Sequence, residues 1–132
     1  MDVFSEVRLP AARLDQDPAV AARSSIRWLS QRTPAKFSEL LRGETSLGGL
    51  FAARGVAAVP SPREVLLPDD PYFNGAYDIE AHGSRDKSQL DAAQLEVPGP
   101  MRDTPARRAA TAEAIAASLE EYFARHFGTK LR

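Results

Sequence analysis

The chain contains no cysteine, so it can form neither a disulfide nor a thiolate metal site. That fits a reducing compartment. No apolar run approaches the roughly 20 residues that a membrane span needs. The first residues, Met1-Asp2-Val3-Phe4-Ser5-Glu6, lack the basic segment and apolar stretch of a signal peptide. A cytoplasmic location is therefore expected. An excess of charge of one sign is also missing: 17 basic residues stand against 18 acidic ones, for a net charge of -1. Nothing in that balance recruits a phosphate backbone or an anionic bilayer, so neither nucleic acid nor membrane is expected as a partner. Histidine is scarce, with two in the chain. They are not closely spaced, and neither begins a His-x-x-Glu. A local zinc signature of the usual kind is absent.

What is present is an ordinary globular composition, 43% hydrophobic and 27% charged. At 132 residues the chain suits one domain, residues 1-132, with a modest core. Of ten prolines, seven gather at 60-71 and 98-105. Proline removes a backbone donor and disfavours helix at the residue before it, so strands and loops are expected in the middle and helices at the ends.

Residues 3-9 alternate loosely and could form a short strand. Asp17-Pro18 reads as an N-cap with proline at the first helical position, opening a helix that ends before Pro34. A second helix is expected over 34-42, with Phe37, Leu40 and Leu41 inward and Gly43 as its stop. A third opens at Ser46 and stops at Gly55. Gly48-Gly49 inside it costs about 1 kcal/mol per glycine, which implies a close contact or a bend. Val56-Val59 reads as a buried strand, and 60-75 as a loop. Residues 76-82 alternate, with Tyr77, Ile79 and Ala81 against Asp78, Glu80 and His82, and read as a strand. After a polar loop, Leu90-Val97 reads as another strand, with Gln94 and Glu96 sharing one face. Thr104-Pro105 caps a last helix that Gly128 ends, with Ala112, Ile115, Leu119, Tyr122 and Phe123 as its apolar stripe. At about 22 residues it is long for a globular domain. This order predicts an α/β fold: a partial mixed sheet covered by helices.

Two residues stand out chemically. His82 ends a predicted strand just before Gly83-Ser84. A lone histidine there is either a metal ligand or a solvated side chain. Glu96 lies in the apolar stretch Ala92-Val97. It is either on a solvent face or held in a cleft as a general base. His126, in the last turn of the long helix, suits the negative end of the helix dipole.

Several stretches occur in a telling order: Thr45-Ser46-Leu47-Gly48-Gly49-Leu50-Phe51, Pro71-Tyr72-Phe73-Asn74-Gly75-Ala76-Tyr77, His82-Gly83, and Gln94-Leu95-Glu96 with Arg102 after it. Together they resemble the C-terminal half of the N-formylglutamate amidohydrolase family, over about residues 35-125. The resemblance implies a phosphorylase/hydrolase-like sandwich and a zinc-dependent cleavage of an N-acyl amino acid or glutamyl substrate. It implies that His82 is a zinc ligand and that Glu96 is the catalytic carboxylate. Arg102, or Arg85, would pair with a substrate carboxylate, which a guanidinium binds bidentately.

Two departures from the family pattern matter. Ala76 stands where a second glycine is usual. The His-Ser-Gly and acidic ligands of the family's N-terminal segment have no counterpart in residues 1-34. The zinc site in this chain is thus expected to be incomplete, and the chain to need an N-terminal complementing subunit or a homo-oligomer. It would be inactive alone, with an apolar edge left open. The alternative is a non-catalytic binding or interaction protein, either a decayed paralogue or one subunit of a split enzyme.

Overall fold

The computed structural model describes residues 8-64, 76-85 and 88-131. Seven α-helices follow one another in this part of the chain: α1 (Ala11–Gln16), α2 (Pro18–Ala22), α3 (Arg27–Arg32), α4 (Phe37–Arg42), α5 (Leu47–Ala53), α6 (Ala76–His82) and α7 (Pro105–Phe127). A 3-10 turn at Gly99–Met101 precedes α7.

Local chemistry sets several helix ends. Asp17 accepts a hydrogen bond from Ala19 N at 3.1 Å, with Pro18 in the first helical position. Ser46 Oγ accepts from Gly49 N at 3.0 Å and caps α5. At the far end of α5, Gly55 N donates to Ala52 O and Val56 N to Phe51 O. That is the Schellman pattern, and Gly55 at φ 77° supplies its left-handed residue. Thr104 accepts from Arg107 N and opens α7, which runs 23 residues to a left-handed cap at Gly128.

Three expectations about helices change in detail. The helix expected from Pro18 to before Pro34 is two short ones, because Ser24 Oγ takes the Ile26 N–H and competes with helical pairing. The helix expected from Pro34 begins only at Phe37. In α7 the buried line is Thr111 and Ser118, while Ile115, Leu119, Tyr122 and Phe123 are half-buried beside it and Ala112 is exposed. Thr111 Oγ1 donates to Met101 O at 2.9 Å and Ser118 Oγ to Ala114 O at 2.7 Å.

The core lies between short helices. Leu14 of α1, Val20 of α2 and Phe37 of α4 form its centre, with Leu9, Ala21, Ile26 and Leu41 packed around them. α4 connects this cluster to α5, and α5 to α7, where Leu50, Phe51 and Ala52 are buried. Gly48 and Gly49 explain themselves here. Added β-carbons would run into the Pro60 carbonyl and into the Gly43 and Glu44 carbonyls respectively. The close contact is to neighbouring loops, not to another helix. Arg54 at the end of α5 pairs with Glu121 of α7 at 2.7 Å.

The expected mixed α/β sheet sandwich is not what the chain forms: among the described residues there is no strand. Each predicted strand fails for a visible reason. Val56-Val59 follows the Schellman turn as an irregular connection, with Ala57 and Val59 exposed. Residues 76-82 form α6. Seven residues can satisfy their hydrogen bonds locally as a helix, whereas a strand needs a neighbour, and Gly83 N closes the last turn on Ile79 O at 3.0 Å. Residues 91-98 run without regular structure and pair with no other strand. Of the strand expected over 3-9, only Arg8 and Leu9 are described, as turn and bend. The Pro71-to-Gly75 motif lies outside the described residues.

Candidate functional site

The site residues named from the sequence fall in the stretch from α6 to the start of α7. His82 is the last residue of α6 and is exposed. Glu96 is exposed in the irregular segment, and its Oε1 accepts a hydrogen bond from Gln94 Nε2. The two side chains were expected on one face of a strand; they engage each other in an irregular segment, with no strand among the described residues. Arg102 is the C-terminal cap of the 3-10 turn. Its Nε–H donates to Val97 O at 2.9 Å, and its carbonyl accepts from Arg108. Arg85 is half-buried, 4.0 Å from Glu80.

The two strands predicted to carry His82 and Glu96 are absent among the described residues. What joins these two residues is a polar knot beneath. Ser84 is fully buried. Its Oγ accepts the Trp28 N–H at 3.0 Å and lies 2.6 Å from Asp91 Oδ1 and 3.0 Å from Ser25 O. A hydroxyl has one proton. The shorter contact, to a carboxylate oxygen, is where it is best placed. The Ser25 carbonyl accepts from Ser84 N at 3.2 Å and Ala92 N at 3.1 Å. Arg27 donates from Nε to Ser84 O at 2.6 Å and from a terminal nitrogen to Ser88 O at 2.8 Å. Gly83 permits this approach: a β-carbon there would lie 2.6 Å from Ile79 O and 2.9 Å from Ser25 Cβ.

Burial pushes the Tyr122 hydroxyl up to about 12, and the Asp91 charge adds to the shift. The Tyr122 ring lies 4.7 Å from the His126 ring, and His126 Nε2–H donates to Thr45 O at 2.8 Å. His126 therefore ties the end of α7 to the turn before α5. Glu121 is held below the usual carboxylate range by hydrogen bonds from Arg54 first and Arg125 second.

Sequence reasoning passed over Ser84, Asp91 and Arg27. Ser84 sat in a stretch read as a polar loop, and Arg27 on a helix face. The glycine directly before Ser84 was the available signal, since it marks a close backbone approach.

A catalytic zinc takes three protein ligands. Among the described residues, no three histidine, aspartate or glutamate side chains gather as such a group. His82 and Glu96 alone do not fit the ion as a complete site. No helix among the described residues is long and apolar enough to cross a membrane. Compared with family models, with curated proteins and with solved structures, the chain matches none.

Proposed function

We propose that residues 76-102 contribute the substrate-facing part of a metal-dependent amidohydrolase that cleaves an N-acyl amino acid of the N-formylglutamate kind. The remaining metal ligands would come from outside the described residues, supplied by further polypeptide or by a complementing subunit. The observation that supports this most is the arrangement of two arms on one anchor. His82 lies two residues before the buried Ser84, and Glu96 five residues after its partner Asp91, and both side chains are exposed. Arg85 and Arg102 lie on the same two arms and offer guanidinium groups to a substrate carboxylate. The ordered sequence motifs give these residues their roles: His82 as a nitrogen donor, Glu96 as the carboxylate that handles a proton, and the arginines as carboxylate clamps. The reading places the protein in the cytoplasm, in keeping with its lack of cysteine.

The test is titration of the ¹⁵N-labelled chain with N-formyl-L-glutamate. Amide shifts are expected at 82-85 and 94-102, and they should weaken in Arg102→Ala. Shifts confined to other parts of the chain, or none at millimolar ligand, would refute the proposal. A second reading, a non-catalytic interaction protein, is favoured by Tyr77, Leu90 and Leu95, which are exposed in the same stretch. That reading predicts no amide shifts with the acyl amino acid.

A further inference from the structure

We propose that Ser84, Asp91 and Arg27 are positioning residues that fix the two arms bearing His82 and Glu96 relative to each other. This rests on the functional reading above for the importance of those two side chains, but the anchor itself is visible in the geometry. The arms meet at one carbonyl, that of Ser25, which accepts from Ser84 N on the first and Ala92 N on the second. A side-chain bond, Ser84 Oγ to Asp91 Oδ1, joins them directly. Arg27 binds the carbonyls of both Ser84 and Ser88, and is braced by Gln31 Oε1 at 3.1 Å.

Three features set this apart from an ordinary loop contact. Ser84 has no exposed surface, so water cannot replace its bonds. Residues 91-98 have no helix or sheet of their own, and the bonds of Gln94 to Glu96 and of Arg102 to Val97 O lie within that arm and do not tie it to the first. The residue before Ser84 must be small for the arm to reach α3 at all. The spacing of His82 and Glu96 is therefore set by a few buried hydrogen bonds. A misplacement on the order of 1 Å can cost an active site about a hundredfold in rate.

The absence of cysteine makes a direct test simple. Spin labels placed through Ala81→Cys and Leu95→Cys report the separation of the arms, and both positions are exposed. A control pair, Ala53→Cys with Ala124→Cys, reports α5 against α7 at two other exposed positions. Dipolar spectroscopy on the full chain should give one narrow arm distribution. Ser84→Ala and Asp91→Ala should broaden it while the control pair stays narrow. Asp91→Asn should keep it narrow, because the amide oxygen still accepts the serine proton. Should Ser84→Ala not fold, the half-buried Asp91 carries the comparison.

Arm distributions as narrow in Ser84→Ala and Asp91→Ala as in the parent would overturn the proposal. So would equal broadening of both pairs, which would mean general loosening. The functional reading is tested separately by amide hydrolysis in a completed enzyme. Broadened arms together with a fully active Glu96→Gln would leave the anchor standing and remove the catalytic role.

Discussion

Ser84 shows how much a single hydroxyl can hold. Replacing it with alanine leaves the half-buried Trp28 N–H without its acceptor and the half-buried Asp91 without its donor. Unsatisfied buried groups cost about 1–3 kcal/mol, and Ser84→Ala should lower the urea midpoint by an amount in that range with an unchanged slope. Tyr122 is a residue whose titration the fold alters strongly. Its pKa is raised from 10.0 to about 12, so the folded state holds the proton more tightly than the unfolded one. The resulting stability is fully present below pH 10 and disappears as pH rises from 10 towards 12. Alkaline denaturation of the wild type should show this limb, and Tyr122→Phe should remove it. An identical limb in the variant would assign it to another group.

Among the elements, α5 and α7 make the most informative pair. Arg54 and Glu121 join them. Glu121 titrates below its ordinary 4.5 because its ionised form is bonded to Arg54 and Arg125. The contribution is present above pH 4.5 and is lost as pH falls below it. It should be small, since the carboxylate is 34% exposed and solvent screens the pair, and Glu121→Gln should flatten that part of the acid limb. The end of α5 is set by Gly55 at φ 77°. A β-carbon there meets no atom, so Gly55→Ala should cost only the left-handed backbone penalty of about 1–2 kcal/mol, read from the same urea curves.

These elements also explain what was legible beforehand. Asp17-Pro18, Ser46, Gly55, Thr104-Pro105 and Gly128 carry their chemistry locally, so those helix ends could be placed from neighbouring residues alone. The strands could not. Period-two alternation in 76-82 and 90-97 records a preference, and a strand exists only when another supplies the ladder. Without one, the first segment closed into α6 and the second was held by side chains. Ser84 and Asp91, seven positions apart and bonded through a buried contact, leave no periodic trace. Gln94 and Glu96 were readable as a pair because two residues of extended chain bring them to one side.

At the scale of the whole molecule, the described residues form a small helical body with two short arms, to which the proposed function assigns part of a hydrolytic site. One histidine cannot hold zinc against water. The isolated chain should therefore bind zinc weakly, and a stoichiometric ion surviving a chelator wash would contradict this. The most direct test of the central claim is amide hydrolysis by the chain mixed with an amidohydrolase N-terminal segment that carries the missing histidine and acidic ligands. Formate release from N-formyl-L-glutamate is measured together with bound zinc. In the mixture, His82→Ala should lose zinc and activity together. Glu96→Gln keeps the shape of the side chain but cannot take up a proton, so it should keep zinc and lose about 10²–10⁴-fold in rate. A Glu96→Gln mixture as active as the wild type, or a wild-type mixture that releases no formate, would contradict the account.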